Sequence, residues 1–230
     1  MNKQTNIIAT SFEQALASRI SKDEADDWLK EYARPYQELM TYYRCALMEI
    51  ETKFKVLNED FSLLDDCNPI ESIKSRLKKP ESIIDKMIRN DFPLTVESME
   101  KNLNDIAGIR IICSFQSDIY KLADALIKQD DITLFDRKDY IECPKSNGYR
   151  SLHLIIGIPI FLHNEKKIMK VEVQFRTLAM DMWASIEHKL KYKKNLTLTD
   201  EQSSTLHGCS ELSDLLDNRM EELYKSVRER

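Results

Sequence analysis

The sequence predicts an α+β fold: a mixed β-sheet flanked by helices, with helical extensions toward both termini. Three observations predict it. Ile109-Arg110-Ile111-Ile112-Cys113 is a largely apolar run of strand length, rich in β-branched residues, of the kind buried inside a sheet. Lys170 to Arg176 alternates, placing Val171, Val173 and Phe175 on one face and Glu172, Gln174 and Arg176 on the other. Both ends of the chain repeat apolar residues every three or four positions, the period of an amphipathic helix. With 230 residues, 42% hydrophobic and 32% charged, the chain has enough apolar material for one principal core. Three parts are expected: a helical region over residues 1–69, a core over 70–195 and a C-terminal helix within 196–230.

From Phe12 to Leu57, the spacing of Trp28, Tyr32, Tyr36, Leu39, Tyr43, Leu47, Ile50 and Phe54 predicts helix. Pro35 is expected to begin a second helix, because proline breaks helix interiors. The aromatic stripe suits either packing on its own domain or a partner surface. Asp65, Asp66, Asn68 and Pro69 mark a break. Pro80 sets the next boundary, leaving Lys78 and Lys79 in an extended or turn stretch before a helix that starts near Pro80 or Glu81. Thr95 is placed to cap a short helix holding Ser98, Glu100 and Leu103. After the strand Ile109–Cys113, Ser117 and Asp118 cap a helix carrying Tyr120, Leu122, Leu126 and Ile127. Ile132 to Phe135 reads as a strand, and another follows a polar turn at Asn147-Gly148 and continues toward Pro159. Leu178 to about Lys193 is helical, with Met182, Trp183, Ile186 and Leu190 as its apolar stripe. Gly208 closes a polar connector, and Leu212, Leu215, Leu216, Met220, Leu223 and Val227 form the face of a last helix that docks or oligomerises.

Apolar runs such as Leu154 to Leu162 are too short to span a bilayer, and Met1 to Asn6 lacks a signal-peptide core, so a soluble cytoplasmic protein is expected. Cys45, Cys67, Cys113, Cys143 and Cys209 are scattered, without a Cys-x-x-Cys pair, and read as reduced thiols. A net charge of −5 argues against a DNA-binding surface and gives no indication of RNA binding. The charge is uneven, however, and Lys74 to Lys86 is basic. That run is either a solvated face or a set of cations for a small polyphosphate. With four glycines and no Gly-rich loop, side chains would have to hold the phosphates.

Lys145 to His153, Lys-Ser-Asn-Gly-Tyr-Arg-Ser-Leu-His, is either a charged surface hairpin or a ligand loop. As a ligand loop it offers Tyr149 for stacking on a base, with Lys145 and Arg150 to neutralise oxyanions. The polar face of Glu172 and Gln174 is either solvent-facing or lines a site. Asp105, at the start of its strand, and Glu172 are able to share one Mg2+, an ion that takes one or two carboxylates and completes its shell with phosphate oxygens and water. Acids on two separate strands, in the order helix, strand, helix, three strands, helix, make the arrangement of a metal-dependent nucleotide-transfer site.

Four motifs carry a resemblance: Asp-Ile-Ala-Gly-Ile-Arg (Asp105 to Arg110), Asn-Gly-Tyr-Arg-Ser-Leu-His (Asn147 to His153), Val-Glu-Val-Gln-Phe-Arg-Thr (Val171 to Thr177) and Trp-Ala-Ser-Ile-Glu-His-Lys-Leu-Lys-Tyr-Lys (Trp183 to Lys193). In order and spacing, over roughly Ile70 to Lys193, they resemble the synthetase domain of the RelA/SpoT family. No His-Asp hydrolase dyad accompanies them, so the chain is similar to the small, synthetase-only members. The resemblance implies a nucleotidyltransferase-like sheet, Mg2+ as cofactor, and transfer of pyrophosphate from ATP to the 3′-hydroxyl of GTP or GDP. The products would be AMP and pppGpp or ppGpp, the alarmones of the stringent response.

Residue by residue, the resemblance implies Asp105 as a Mg2+ ligand and Glu172 as a Mg2+ ligand or the acceptor of the 3′-hydroxyl proton. Arg76 and Arg110 would flank adenine, with Lys78, Ser82, Lys86 and Arg89 around the ATP phosphates. Tyr149 would stack on guanine, Lys145, Asn147, His153 and Gln174 would complete the acceptor pocket, and Lys138 would reach its phosphates. Lys138 stands where some relatives carry arginine, so a point charge replaces a bidentate fork. Asp181 stands where some relatives carry asparagine, and its carboxylate suits the N1-H and N2-H donors of guanine. A homotetramer with terminal helices at its interfaces is also implied. The alternative is a catalytically silent nucleotide- or RNA-binding regulator on the same fold, against which the intact Asp105 and Glu172 weigh.

Overall fold

A computed structural model of the chain describes residues 12, 14–65, 68–192 and 198–228. Of the residues named above, Met1 to Asn6, Asp66, Cys67 and Lys193 lie outside the described residues. The elements are α1 (Lys22–Asp65), β1 (Ile70–Leu77), α2 (Pro80–Arg89), α3 (Val96–Asn102), β2 (Ala107–Cys113), α4 (Gln116–Ile127), β3 (Thr133–Asp139), β4 (Leu152–Phe161), β5 (Lys166–Thr177), α5 (Leu178–Tyr192) and α6 (Asp200–Arg228). The fold is α+β, and the five strands form one sheet in the order β1-β2-β5-β4-β3. The alternating strand read from the sequence is thus the central one. Among the described residues, no helix is long and apolar enough to cross a membrane.

Contacts divide the chain into two compact units, residues 1–50, 75–108 and 157–172 in one, and residues 51–74, 109–156 and 173–230 in the other. The first has a core that includes Tyr36, Tyr43, Ile50, Ile83, Ile84, Met87 and Met99. The second buries Phe54, Ile111, Leu122, Leu154, Val173 and Phe175, with the Phe54 and Phe175 rings edge to face at 5.6 Å.

Pro35 does not begin a helix: it lies inside α1, which runs unbroken for 44 residues. Its missing N–H and ring clash cost about 3 kcal/mol, and the stripe of Trp28, Tyr36, Leu39, Met40 and Tyr43, buried on both sides of it, outweighs that. The start of α1 is fixed instead by Ser21 and Glu24, whose side chains each accept the other's backbone N–H, at 3.3 and 3.0 Å.

β1 was not expected, because residues 70–77 stand out in the sequence by their basic charge and carry no run of apolar or alternating residues that marks a strand. As a sheet edge it is half exposed and needs no continuous apolar face. Thr95 does cap α3, accepting from the Ser98 N–H at 3.1 Å, while Leu103 is the buried residue just past its end rather than inside it. α4 begins one residue before Ser117, so neither Ser117 nor Asp118 is its cap. The Ser117 N–H is met from another helix, by Glu221 at 3.4 Å.

α6 departs furthest from expectation. It starts at Asp200 and passes through Gly208, because Thr199 and Gln202 form a reciprocal N-terminal cap and the helix is long enough to absorb glycine's cost of about 1 kcal/mol. Its inward face is Leu206, Ser210, Ser213, Asp217 and Glu221, all buried. Its apolar stripe, Leu212, Leu215, Leu216, Met220, Leu223 and Val227, faces outward. On α5, Trp183 is buried and donates to the Leu206 carbonyl at 2.8 Å, whereas Met182, Ile186 and Leu190 line an open apolar cleft of about 650 Å³ with Leu198 and Leu206.

Burial against α5 raises the Asp217 carboxyl to about 6, although the Thr177 hydroxyl donates to it at 2.5 Å; Asp214 and Glu221 add to the rise and Arg150 opposes it. An unfolded carboxyl titrates near 3.8, so between that value and 6 the folded state holds the proton more tightly. Stability from this group therefore falls as pH rises through that window. Asp217→Asn keeps an acceptor for Thr177 and removes the charge. It is expected to gain about 1 to 2 kcal/mol at pH 7 in denaturant unfolding, with no gain at pH 4. A variant no more stable than wild type at pH 7 would contradict the cost assigned to the buried Asp217 charge.

Candidate active site

The first compact unit holds a cluster of cations around one acid. β1 ends at Leu77, and Lys78 leaves the strand with its N–H on the Ile106 carbonyl at 2.8 Å. That pairing sets Lys78 beside Asp105, and its Nζ donates to Asp105 Oδ2 at 2.6 Å. Pro80 then starts α2, with Lys79 as an N-cap that makes no side-chain bond to the first turn. Ser82, Lys86 and Arg89 share a face of α2 spanning about 10 Å along the axis. Lys86 Nζ is 2.9 Å from Asp105 Oδ1, an ion pair without hydrogen-bond alignment. Burial raises the Asp105 carboxyl, but the Lys78 hydrogen bond and the charges of Lys78 and Lys86 outweigh it and hold the group below the usual carboxylate range. Arg76 lies alongside Gly108 at the start of β2, where an added Cβ would sit 3.9 Å from Arg76 Cγ and Nε.

Glu172 belongs to the same unit. It is half-buried on β5 between Val171 and Val173, both fully buried, and β5 pairs with β2, the strand that Asp105 precedes. Among the described residues no three His, Cys, Asp or Glu side chains converge as a ready metal cage. A cage is not what Mg2+ requires, since one or two carboxylates suffice beside phosphates and water. Asp105 Oδ1 is a buried carboxylate oxygen outside any aligned hydrogen bond, so the residues present fit such an ion.

The second unit holds an aromatic and cationic cluster. Gly148 has φ of +89°, which turns the chain after Asn147, and Asn147 Oδ1 accepts the Tyr149 N–H at 3.2 Å. The turn presents Tyr149 ahead of β4, its hydroxyl 2.9 Å from His153 Nε2 and accepting from Arg176 Nη2 at 2.8 Å. Tyr140 stands edge-on to Tyr149 at 6.1 Å and to His153 at 5.3 Å. Lys145 Nζ lies 4.5 Å from the Tyr140 ring centre and 4.9 Å from that of Tyr149. Arg176 also reaches Gln174 Oε1, at 3.4 Å, while Asn147 Nδ2 donates to Glu187 at 3.0 Å.

Asp181, in the first turn of α5, accepts from Arg110 at 3.1 Å, Arg176 at 2.9 Å and Lys74 at 3.1 Å. Its burial raises the carboxyl, yet Lys74, Arg110 and Arg176 together hold it low. Its oxygens are thus engaged by cations rather than standing open. Lys138 lies on the edge strand β3, paired with Asp136 at 3.1 Å. Arg150, considered above as an anion-neutralising group, spends its guanidinium on the Ile141 carbonyl at 3.0 Å and on Asp214 at 3.5 Å.

The structure therefore groups Lys78, Lys86 and Asp105, and separately Lys145, Asn147, Tyr149, His153 and Gln174. Tyr140, Lys74 and Arg176 were not singled out. Arg176 had a signal, since it shares the polar face of β5 with Glu172 and Gln174 yet is only 5% exposed.

Comparison with known proteins places this geometry among relatives. The sequence model of the region found in RelA / SpoT proteins matches residues 75–197. GTP pyrophosphokinase YwaC of Bacillus subtilis (strain 168) is 41% identical over 208 residues, covering 90% of this chain and 99% of its own. The crystal structure of small alarmone synthetase 2 from Bacillus subtilis superposes with a TM-score of 0.76 at 40% identity, over 83% of this chain and 98% of that one. Small alarmone synthetase 1 from Bacillus subtilis, bound to its product pppGpp, superposes with a TM-score of 0.77 at 36% identity, over 84% and 98%.

Proposed function

Because the chain belongs to the RelA/SpoT family, we propose that it is a GTP pyrophosphokinase: a synthetase that moves the β,γ-pyrophosphate of ATP to the 3′-oxygen of GTP or GDP, without hydrolase activity. The 3′-hydroxyl oxygen forms a bond to the β-phosphorus of ATP, its proton passes to the Glu172 carboxylate, and the bond from the β-phosphorus to the oxygen of the α-phosphate breaks. AMP leaves with the electron pair, and the product is pppGpp or ppGpp. The observation that carries this reading is the polar face of β5. Glu172 and Gln174 are neighbours on one face of a central strand whose opposite face is fully buried, about 6 to 7 Å apart along the chain. A base and an acceptor-binding group thus stand side by side.

The remaining assignments follow the chemistry of each cluster. Lys78, Lys86 and Arg89, with the uncapped start of α2, supply positive charge for the ATP phosphates, and the Ser82 hydroxyl offers them a hydrogen bond. Arg76 and Arg110 offer guanidinium planes for adenine, the latter by exchanging its pairing with Asp181. Tyr149 is the guanine platform, Asn147 and His153 contact the acceptor, and Lys145 and Lys138 meet its phosphates. Asp105, with Glu172, would hold Mg2+, whose charge spreads that of the transferred phosphoryl group. Asp181 anchors three cations and reads guanine only if one of those pairs opens.

The outward apolar stripe of α6 supports self-association into a homotetramer. Four free cysteines among the described residues fit a reducing cytoplasm. Leu216→Glu with Leu223→Glu is expected to yield a smaller species by light scattering, and an unchanged mass would detach the stripe from assembly.

The deciding experiment incubates the protein with ATP, GTP and Mg2+ and separates the nucleotides. Equimolar AMP and a guanosine 3′-pyrophosphate are expected; release of free pyrophosphate, or binding without turnover, would overturn the reading, the latter in favour of a silent regulator. Tyr149→Ala is expected to weaken GTP by ~1 to 3 kcal/mol while leaving ATP unaffected. Unchanged GTP affinity in calorimetry would remove Tyr149 as the platform.

A further inference from the structure

The inward face of α6 is polar where a docked helix is ordinarily apolar, and two neighbouring residues of the helix, the inward Ser210 and the half-buried Asp214, meet the loop that carries Tyr149. Ser210 is 3% exposed and its hydroxyl donates to the Gly148 carbonyl. The approach is close enough that a Cβ built on Gly148 would lie 2.8 Å from Ser210 Cβ and 3.0 Å from its oxygen. One turn along, Asp214 pairs with Arg150 at 3.5 Å and accepts from Gln116 at 3.4 Å. The loop between β3 and β4 is thus gripped on both sides of Tyr149, at Gly148 and at Arg150, by two residues of one helix.

We infer that Ser210 and Asp214 are positioning residues for the acceptor nucleotide: by fixing Gly148 and Arg150 they hold Tyr149 in its stacking orientation and so set acceptor affinity. The inference rests on the reading of Lys145 to His153 as the acceptor loop. Residues 144–151 lack regular secondary structure, and ordering such a segment costs backbone entropy for each residue fixed. A loop already ordered by α6 does not meet that cost when the nucleotide binds, which is how preorganisation raises affinity. Neither Ser210 nor Asp214 belongs to the cationic cluster around Asp105, so the effect falls on one substrate only.

The test measures initial rates with varied GTP and varied ATP for wild type, Ser210→Ala, Asp214→Asn and Tyr149→Ala, with thermal unfolding of each. Ser210→Ala and Asp214→Asn are expected to raise KM for GTP about three- to tenfold, with kcat and the KM for ATP near wild type and the unfolding temperature little changed. Should Ser210→Ala fail to fold, Asp214→Asn, on the more exposed flank of α6, carries the test. An unchanged KM for GTP in the folded variants overturns the inference. So does an equal rise for both nucleotides accompanied by a fall in unfolding temperature, which marks a merely structural role. Tyr149→Ala separates the two levels: if it leaves the KM for GTP unchanged, the acceptor-loop reading itself fails; if it raises KM while the α6 variants do not, only the positioning role fails.

Discussion

Glu172→Gln is expected to lower pyrophosphate transfer by about 10²- to 10⁴-fold, the range for loss of a positioned general base, while both nucleotides still bind. The substitution keeps size and hydrogen-bonding capacity and removes only the negative charge and the proton-accepting oxygen. Because Glu172 is half-buried on a strand anchored by fully buried Val171 and Val173, the fold has no reason to change, and the unfolding temperature serves as the control. Calorimetric titration of ATP and GTP, beside a single-turnover assay, separates binding from chemistry. Loss of activity below about tenfold would assign the proton to another group.

Asp105→Asn is expected to affect both activity and stability. On the activity side, loss of the carboxylate removes the proposed metal ligand, which is worth several kcal/mol in the transition state, or about 10²-fold or more in turnover. On the stability side, Lys78 and Lys86 lose the charge that both of them face. Breaking a fully buried pair costs about 3 to 5 kcal/mol, and with these partners partly exposed we expect about 1 to 3. Asp105 titrates below the usual carboxylate range, so its contribution is complete above the unfolded value near 3.8 and is lost as pH falls through the lower folded value. The gap in stability between wild type and variant should therefore narrow in strong acid. Turnover at rising Mg2+ is the decisive readout, and a variant with the wild-type Mg2+ response would take Asp105 out of that role.

The strands and helices that frame the candidate site were legible because their patterns are local. β2 announced itself by β-branched content, β5 by alternation and α2 by Pro80. The elements that were misread each depend on something non-local. Pro35 was judged by a rule about isolated helices, and the buried aromatic stripe on either side overrode it. β1 has an edge strand's freedom from apolar patterning, so nothing in residues 70–77 marks it as a strand. In the candidate site, single residues such as Asp105, Glu172, Tyr149 and Asp181 stand out by their place in or beside the motifs. Their partners do not, because the clamp of Lys74, Arg110 and Arg176 on Asp181 joins residues up to 107 positions apart. Nor does the sequence say which face of α6 turns inward: its apolar stripe suited docking or self-association equally, and within one chain it is the polar face that docks.

That inversion has a consequence for the order in which the molecule opens. A helix held by the side-chain hydrogen bonds that Ser210 and Ser213 donate and Asp217 accepts gains about 0.5 to 1.5 kcal/mol net from each, far less than an apolar face of the same length would provide. The backbone amides of α6 should therefore exchange with solvent deuterium well before those of β5, whose inner side chains are completely enclosed. Transient release of α6 would free Gly148 and Arg150 in the same event, leaving the acceptor loop to fluctuate on the time scale of the helix rather than on its own.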